Sequence, residues 1–267
     1  LRIKQMFTIA EWAGKKVLYL IQSIYEICRI SFGVFKELIK WNRRGNRVTR
    51  QLLLRQILFT GIDAFPMISL LSLLLGTIVV TQSTAQLPII GGENFLGTVI
   101  VLVIIRELGP LITAIVVIGR SGAAIAAELG LMRINHETEA LEVMGINITR
   151  VLVLPRLLGC IIATVCLTIY FDLLAILGGY AISRIQLTTS FNLFLHRIIL
   201  SLQFSDLYVS LMKSAIFGII IAILSSYHGL KVKRYATEVP QATTKAVISS
   251  IVVCFFFNSA LTMVFYM

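Results

Sequence analysis

The chain alternates between long apolar runs and short charged segments, and this pattern predicts helices that cross a membrane. A helix needs about 20 apolar residues to cross a hydrocarbon layer of ~30 Å. Five runs are long enough, with predicted bounds at residues 62–87, 95–131, 151–183, 207–228 and 246–266. Gly91 and Gly92 mark a turn between the first two. The second run is too long for an upright span, so we expect it to tilt, kink or project into water.

The first 50 residues have a different pattern, in which polar and apolar positions occupy opposite sides of a helix. The polar positions are Gln22, Glu26, Arg29, Lys36 and Lys40, and the apolar ones are Ile21, Ile24, Ile27, Phe35 and Leu38. This spacing is typical of an amphipathic helix that lies in the membrane interface, with an ordinary soluble amphipathic helix as the alternative. The predicted division is therefore an interfacial helix with a basic connector over residues 1–50 and a membrane domain over residues 51–267.

Composition and charge place the chain in the membrane and orient it. Hydrophobic residues make up 57% of the 267 residues, charged residues 14%, and the mean hydropathy is +0.90. The net charge of +11 does not indicate nucleic acid, because twelve of the 24 Lys and Arg residues lie between Arg2 and Arg55, before the first apolar run. Basic residues mark cytoplasmic segments, so the N-terminus is predicted in the cytoplasm. Among the loops on the outer side, only Arg184 and Arg197 are basic under this orientation.

Several classes of chemistry lack their usual sequence signals. The four cysteines and three histidines are dispersed without metal-ligand spacing, so neither a metal site nor a disulfide framework is expected. No GxxxxGK[ST] phosphate loop occurs, and the fragment Gly14-Lys15-Lys16 lacks the upstream glycine and the final Ser or Thr. The chain is therefore not expected to be an enzyme or to hydrolyse ATP by itself. An odd number of spans without internal similarity also argues against two inverted repeats.

Arg106 and Glu107 lie side by side inside the second apolar run, VLVIIRELGPLITAIVVIGR. Charges at membrane depth usually face a bundle interior or a wet cavity, because their exposure to lipid is costly. On a uniform α-helix Arg106, Arg120 and Glu128 fall within about 80° of one another, with Glu107 about 60° further round. One polar face is therefore predicted, with Arg120 and Glu128 in an intramembrane polar network. A salt-bridge network that only braces the helices is the alternative.

The residues after this pair weaken the helix. Pro110 has no N–H to donate to the carbonyl of Arg106, and Gly109 adds conformational freedom. Further along, two sets of small residues allow close approach of another helix, either within one protomer or between protomers. These sets are Gly119, Ala123 and Ala127, and Gly122, Ala126 and Gly130.

The segment between the second and third spans predicts a short helix along the membrane face. Asn135 can cap its N-terminus, and Gly145 can end it. Acidic residues follow the cap and apolar residues form another side, at Glu137, Glu139 and Glu142 and at Leu141, Val143 and Met144. Such a helix could seat in a groove on a partner, although an ordinary capped connector would look similar.

The longest distinctive segment is RELGPLITAIVVIGRSGAAIAAELGLMRINHETEALEVMGINITRVLVLPRLLG, residues 106–159. With LRQILFTGI, Gly76 and Gln82 before it and ATTKAVISS after it, this segment resembles the MlaE (YrbE-type) permeases, the membrane subunits of MCE-associated ABC transporters. The resemblance implies an all-α homodimeric permease with an interfacial helix and five spans per copy. It also implies cytoplasmic ABC ATPases, a periplasmic MCE-domain protein, a small STAS-type accessory subunit and phospholipid as cargo.

The resemblance also implies roles for particular residues. Residues 135–148 correspond to a coupling helix that contacts the ATPase, through Asn135, Glu137, Glu139, Leu141, Glu142, Met144 and Gly145. The lipid cavity would be lined by Leu74, Thr77, Ile78, Thr81, Gln82, Arg106 and Glu107. ATP and Mg would be bound by the partner ATPase and no cofactor by this chain. The expected location is the inner membrane of a diderm bacterium, where such systems maintain outer-membrane lipid asymmetry, or a plastid inner envelope.

Two features depart from the family pattern, and three other functions stay open. Ser83, Thr84 and Ala85 stand where relatives can carry larger residues, and Pro66 is not typical of the family. The alternatives are an ion-coupled secondary transporter that uses Glu107, a non-transporting scaffold for an MCE assembly, and an intramembrane enzyme. For the last, no catalytic pair is evident in the sequence.

The predicted topology can be tested by labelling. In a cysteine-free background, Gly45→Cys should react with a reagent confined to the cytoplasmic side, and Met267→Cys only with the reagent on the opposite side, because five spans separate them. Site-directed accessibility labelling in intact cells and in inverted vesicles measures both. Labelling of the two cysteines from the same side would contradict the five-span topology.

Overall fold

The computed structural model describes residues 46–86, 95–187, 191–233 and 235–266, together with positions 22, 25–29, 31–34 and 36. Every regular element among these residues is a helix. The predicted Gly91–Gly92 turn and several positions of the interfacial helix, including Lys40, lie outside the described residues.

Five long apolar helices confirm the predicted number of spans. Spans 1 to 5 are Gln51–Gln86, Leu96–Ile134, Thr149–Ile185, Phe204–Leu230 and Glu238–Phe265. The surface helix between spans 2 and 3 is Glu137–Val143, and a further helix, Phe191–Ser201, precedes span 4. Span 1 begins at Gln51 rather than at residue 62, and span 5 at Glu238 rather than at residue 246. Both extensions carry charged residues, which lower the local hydropathy without interrupting backbone hydrogen bonding.

Span 1 consists of two α-helices joined by a tight turn. The α-helix Asn46–Gly61 is followed by a 3-10 turn at Ile62–Ala64 and then by the α-helix Phe65–Gln86. Pro66 is the second residue of that last helix, where a missing N–H costs little because the first N–H groups of a helix have no partner within it. The proline that is unusual for the family therefore begins a helical segment instead of breaking one.

Spans 1 and 3 approach so closely that glycine is required at the crossing. A Cβ at Gly76 would overlap the backbone carbonyl of Ala175. From the other side, a Cβ at Gly178 would lie 2.7 Å from the carbonyl oxygen of Leu73, and one at Gly179 would lie 2.6 Å from the side chain of Val80. Glycine lets two backbones pack at a distance that a side chain would prevent.

Span 2 is not a uniform α-helix. It contains π-helical segments at Val101–Leu108 and Ile118–Gly122, with α-helix at Gly109–Val117 between them and Ala123–Ile134 after them. Each π-helical segment adds residues to a turn and so rotates everything beyond it. The prediction of a single polar face assumed a constant 100° per residue, and this assumption is wrong for span 2.

The two sets of small residues on span 2 have different surroundings. Gly122 and Ala126 face span 4, where a Cβ at Gly229 would lie 2.7 Å from the carbonyl oxygen of Ala126. Gly119, by contrast, is exposed and has nothing within 4 Å of its Cβ position. The set with Gly122 therefore serves packing within the protomer, whereas the set with Gly119 begins on an exposed face.

The described residues of the predicted interfacial helix are helical and packed on the bundle. Val34 is buried beside Val153 and Leu154. Glu26 accepts a hydrogen bond from the hydroxyl of Tyr227 at 3.1 Å and lies 3.5 Å from the ammonium of Lys231. One residue of the predicted polar stripe thus contacts the end of span 4 rather than only water.

The glycine crossing gives a stability prediction. Gly76→Ala should lower the free energy of unfolding by about 1–3 kcal/mol, because the added methyl group meets backbone that cannot rotate away. Gly61→Ala on the same span is the control, since its Cβ would have nothing within 4 Å. Alanine at that position should be neutral or stabilising by up to about 1 kcal/mol through helix propensity. Denaturant unfolding in detergent compares the two, and equal stability would contradict the packing.

Candidate functional site

A lysine ammonium buried among three spans forms the centre of the candidate site. Lys213 lies in span 4, and its side chain is 0% exposed. Its Nζ donates to Glu107 Oε1 at 2.9 Å, to Thr262 Oγ1 at 2.8 Å and to the backbone oxygen of Arg106 at 3.0 Å. An ammonium has three N–H groups, so these acceptors match its donors. The contacts join span 4 to spans 2 and 5.

Pro110 explains why the carbonyl of Arg106 is available to this lysine. In a regular helix that oxygen would accept from the N–H four residues later, which is the position of Pro110. The sequence predicted the missing hydrogen bond, and the structure shows that Lys213 takes the vacant acceptor. The break in the helix is therefore compensated by a charge-assisted hydrogen bond from a neighbouring span.

Glu107 is held on both carboxylate oxygens but is not fully enclosed. Asn258 Nδ2 donates to its Oε2 at 2.8 Å, and the hydroxyl oxygen of Thr262 lies 2.9 Å from its Oε1. The side chain nevertheless stays 31% exposed. A fixed carboxylate thus reaches the surface of the protomer at membrane depth.

Arg106 and Glu107 do not pair with each other. Arg106 forms an ion pair with Asp206 at 2.7 Å, and the Asp206 side chain is 0% exposed. Asp206 also accepts from the backbone N–H of Gln203 at 3.1 Å, within a capping box at the start of span 4. Each predicted charge is therefore neutralised by its own partner on span 4, and together the two pairs carry no net charge.

Asp172 of span 3 lies directly against Gly109. A Cβ at Gly109 would overlap Asp172 Oδ1, and this buried oxygen has no hydrogen-bond partner among the described residues. Gly109 therefore makes room for a buried carboxyl group as well as adding freedom to the backbone.

The other residues predicted for a lipid cavity form one face of span 1. Leu74 and Ile78 are 50% and 59% exposed, and Gln82 is exposed. The hydroxyl groups of Thr77 and Thr81 donate to carbonyls within their own helix at 2.7 Å, so they need no external partner. The face consists of Leu74, Thr77, Ile78, Thr81 and Gln82, and the protomer leaves it open while burying the opposite face.

Arg120 and Glu128 contact different helices and do not form one network with the first pair. Arg120 bonds the backbone oxygen of Phe59 at 2.7 Å and pairs with Asp63 of span 1. Glu128 pairs with Arg156 of span 3 at 2.9 Å. The charges along span 2 thus fix it successively to spans 4, 1 and 3.

The surface helix is Glu137–Val143, so it begins one residue later than a helix capped by Asn135 would begin. His136, with φ of 59°, is the N-cap residue, so the predicted capping by Asn135 is wrong; Asn135 Nδ2 instead donates to Glu137 Oε1 at 3.2 Å. His136 Nδ1 lies 2.8 Å from Glu139 Oε2. This hydrogen bond lowers the pKa of the Glu139 carboxyl below its ordinary value.

The helix ends at Val143 and is shorter than the predicted range 135–148, although Gly145 follows its end as predicted. Its apolar residues are exposed. Gly145 has a positive φ of 73°, and the N–H groups of Gly145 and Ile146 bond the carbonyls of Glu142 and Leu141, which is the Schellman pattern. Val143 is 89% exposed and Met144 64% exposed. An apolar tip therefore projects from the end of the bundle where span 2 ends and span 3 begins.

Five residues of this region were missed from the sequence: Asp172, Asp206, Lys213, Asn258 and Thr262. Lys213 carried a usable signal, because it is a single charge within the apolar run at 207–228. Asn258 and Thr262 carried none, since single polar residues in an apolar helix usually bond their own backbone.

The sequence matches known proteins over most of its length. The family model for the permease MlaE matches residues 53–264. The chain belongs to the MlaE permease family. A probable ABC transporter permease of Rickettsia prowazekii is 31% identical over 98% of this chain and 99% of its own length.

Two further relatives have names that specify a system or a compartment. The MlaE permease protein of an intermembrane phospholipid transport system in Haemophilus influenzae is 27% identical over 95% of both chains. The chloroplastic protein trigalactosyldiacylglycerol 1 of Arabidopsis thaliana is 28% identical over 96% of this chain and 71% of its own length. The chain is thus similar both to bacterial permeases and to a protein named as chloroplastic.

A double-mutant cycle tests the central ion pair. Glu107→Met should destabilise the protein by about 3–5 kcal/mol, because it leaves the Lys213 ammonium buried without a countercharge. Lys213→Met should cost less, since Glu107 is partly exposed and keeps Asn258 and Thr262 as partners. The combined variant should be more stable than Glu107→Met alone. Unfolding in detergent measures all four proteins, and additive losses would contradict a coupled pair.

Proposed function

We propose that the protein is the permease subunit of an ABC transporter that moves phospholipids between the inner membrane and a periplasmic MCE-domain protein. Membership of the MlaE family supports this proposal, as do the names of relatives that are ABC transporter permeases or part of a phospholipid transport system. The five apolar helices place the chain in a membrane. The chloroplastic relative keeps the plastid inner envelope as the alternative location.

The observation that carries the proposal is the Glu107 carboxylate, which is paired with Lys213 and is still partly exposed. We call Lys213 and its partners Glu107, Thr262 and the backbone oxygen of Arg106 the Lys213 network. A carboxylate that only braced helices could be fully enclosed, yet this one is held rigidly and still 31% exposed. We assign it to the floor of a lipid cavity. The exposed face of span 1 around Leu74 and Ile78 would provide the apolar wall for acyl chains.

A second copy of the chain would complete this cavity. Within one protomer the span 1 face is open, and Gly119 of span 2 is also exposed without a neighbour. Small residues favour close helix association in membranes. These features support a homodimer in which the two copies enclose the lipid.

The surface helix would receive the force for transport. We assign Val143 and Met144 to contact with a cytoplasmic ABC ATPase, because two strongly exposed apolar residues at the tip of a short helix suit a groove on a partner. ATP and Mg would be bound by that ATPase, to which a small STAS-type subunit could attach. Arg133 at the end of span 2 donates to Thr138 of the surface helix at 3.2 Å, so a push on the helix would reach span 2.

The mechanism is mechanical. Movement of span 2 would be transmitted to span 4, because the ion pairs of Arg106 with Asp206 and of Glu107 with Lys213 bridge these spans. The cavity would narrow and expel its lipid toward the MCE protein, or open to accept one. In the ion-coupled alternative, Glu107 would have to leave its ion pair with Lys213 to carry an ion.

The transport test removes both partners of one ion pair, Glu107 and Lys213. It does not replace Arg106 and Glu107, the two neighbouring charges that the sequence pointed to. Replacing Arg106 and Glu107 together would remove the charged partners of the buried Asp206 and Lys213, and a folding defect would confuse the result. Glu107→Met with Lys213→Met removes both charges of one pair. This variant should assemble with its ATPase and lose at least about 90% of ATP-dependent lipid transfer in reconstituted vesicles.

The matched control is Glu26→Gln with Lys231→Gln, which removes another pair between segments distant in sequence. It should transfer lipid as the wild type does. Normal transfer by the well-assembled Glu107–Lys213 variant would refute the cavity floor and favour a brace or a scaffold. Transfer without any ATPase would instead favour the ion-coupled alternative.

A further inference from the structure

A cavity of about 530 Å³ lies where spans 1, 2 and 3 come together, away from the Lys213 network. Its lining comes from the start of span 1, the last turns of span 2 and the start of span 3, including Leu52, Arg55, Phe59, Glu128, Met132 and Arg156. The volume falls within the range of small-ligand pockets, about 300–1,000 Å³. Glu128 follows Glu107 by 21 positions, which is on the order of 30 Å along a helix. The cavity therefore lies near the opposite end of the spans.

The charged lining carries a net positive charge. Arg156 is buried, with 6% exposure, and pairs with Glu128 at 2.9 Å. Arg55 is exposed and makes no hydrogen bond or ion pair with any described residue. Two arginines and one glutamate leave one positive charge. One exposed guanidinium therefore has donors available for an anion, beside a second guanidinium that is already fixed in place.

Apart from Gln56, the rest of the lining is apolar, and exposed apolar residues lie on the outside of the same helix. Leu52, Phe59 and Met132 cover the walls. On the outside of the same turns of span 1, Leu54 and Leu58 are 51% and 53% exposed. A free phosphate ion would gain nothing from these surfaces, whereas an acyl chain attached to a phosphate would be buried against them.

We propose that this cavity binds the phosphate headgroup of an anionic phospholipid of the cytoplasmic leaflet, with its acyl chains along span 1. Basic pockets between transmembrane helices on the cytoplasmic side suit such headgroups. The cytoplasmic assignment follows from the basic residues that cluster before Arg55 and from the surface helix at the same end. Charge complementarity selects a lipid with one net negative charge over a zwitterionic one. The proposal does not depend on transport, because binding needs neither ATP nor a partner.

Binding is measured on the full-length protein in detergent with three probes: dioctanoyl phosphatidylglycerol, dioctanoyl phosphatidylcholine and inorganic phosphate. The wild type should bind phosphatidylglycerol about tenfold more tightly than phosphatidylcholine, as one charge-assisted contact allows. Arg55→Gln should remove this preference. Arg184→Gln is the matched control, an exposed arginine at the other end of span 3, and should keep the preference.

A second variant tests whether Arg55 rather than the neighbouring ion pair sets the preference. Glu128→Gln with Arg156→Gln removes both charges of that pair, leaves the lining with the single positive charge of Arg55 and should keep the preference for phosphatidylglycerol. Equal binding of the two lipids by the wild type, or an unchanged preference in Arg55→Gln, would overturn the proposal. Displacement of the lipid by an equal concentration of inorganic phosphate would also overturn it, since the site would then recognise a small anion. A negative result in the binding experiment would leave the transport test unaffected. The two experiments use different residues, and only the transport experiment needs ATP.

Discussion

An ammonium group cannot stay charged inside an apolar bundle without acceptors for its protons and a negative charge beside it, and Lys213 imposes this constraint on the whole structure. Its partners come from spans 2 and 5, so these helices are fixed in register with span 4. Removal of one partner of such a pair leaves the other charge at full desolvation cost. The arrangement therefore persists only if all its members are present together, and this makes it a specific link between helices rather than a general source of stability.

The irregular backbone of span 2 follows from the same constraint. Pro110 frees the carbonyl of Arg106, the π-helical segment turns Glu107 toward spans 4 and 5, and Gly109 makes space for Asp172. Each of these features would weaken an isolated helix. In the bundle they supply the acceptor and the carboxylate that the lysine requires. Irregular helix geometry often accompanies functional sites in this way, because a regular helix has no backbone groups to spare.

The two ends of the bundle differ in chemistry. One end holds compensated charges close to an open apolar face, where a lipid in transit could contact both polar and apolar groups. The other end holds the surface helix and the cavity with Arg55 and Arg156, whose lining carries a net positive charge. Span 2 runs between these ends and forms ion pairs in turn with spans 4, 1 and 3. A displacement of span 2 would therefore move groups on all three of these spans.

The sequence by itself determined the membrane class, five spans, the relevance of Arg106 and Glu107, and the end of the surface helix at Gly145. These features depend on local properties, namely apolar length, the cost of charge in lipid and the freedom of glycine at positive φ. The tertiary structure decided which charges pair, because partners such as Arg106 and Asp206 are far apart in sequence and meet only when the spans pack. It also decided that span 2 has no single polar face, since its π-helical turns depend on contacts with other spans. The cap at His136 rather than Asn135, the partners of Lys213, Asn258 and Thr262, and the cavity between spans 1, 2 and 3 follow from packing in the same way. Of these, only the charge of Lys213 within an apolar run could be recognised from the sequence.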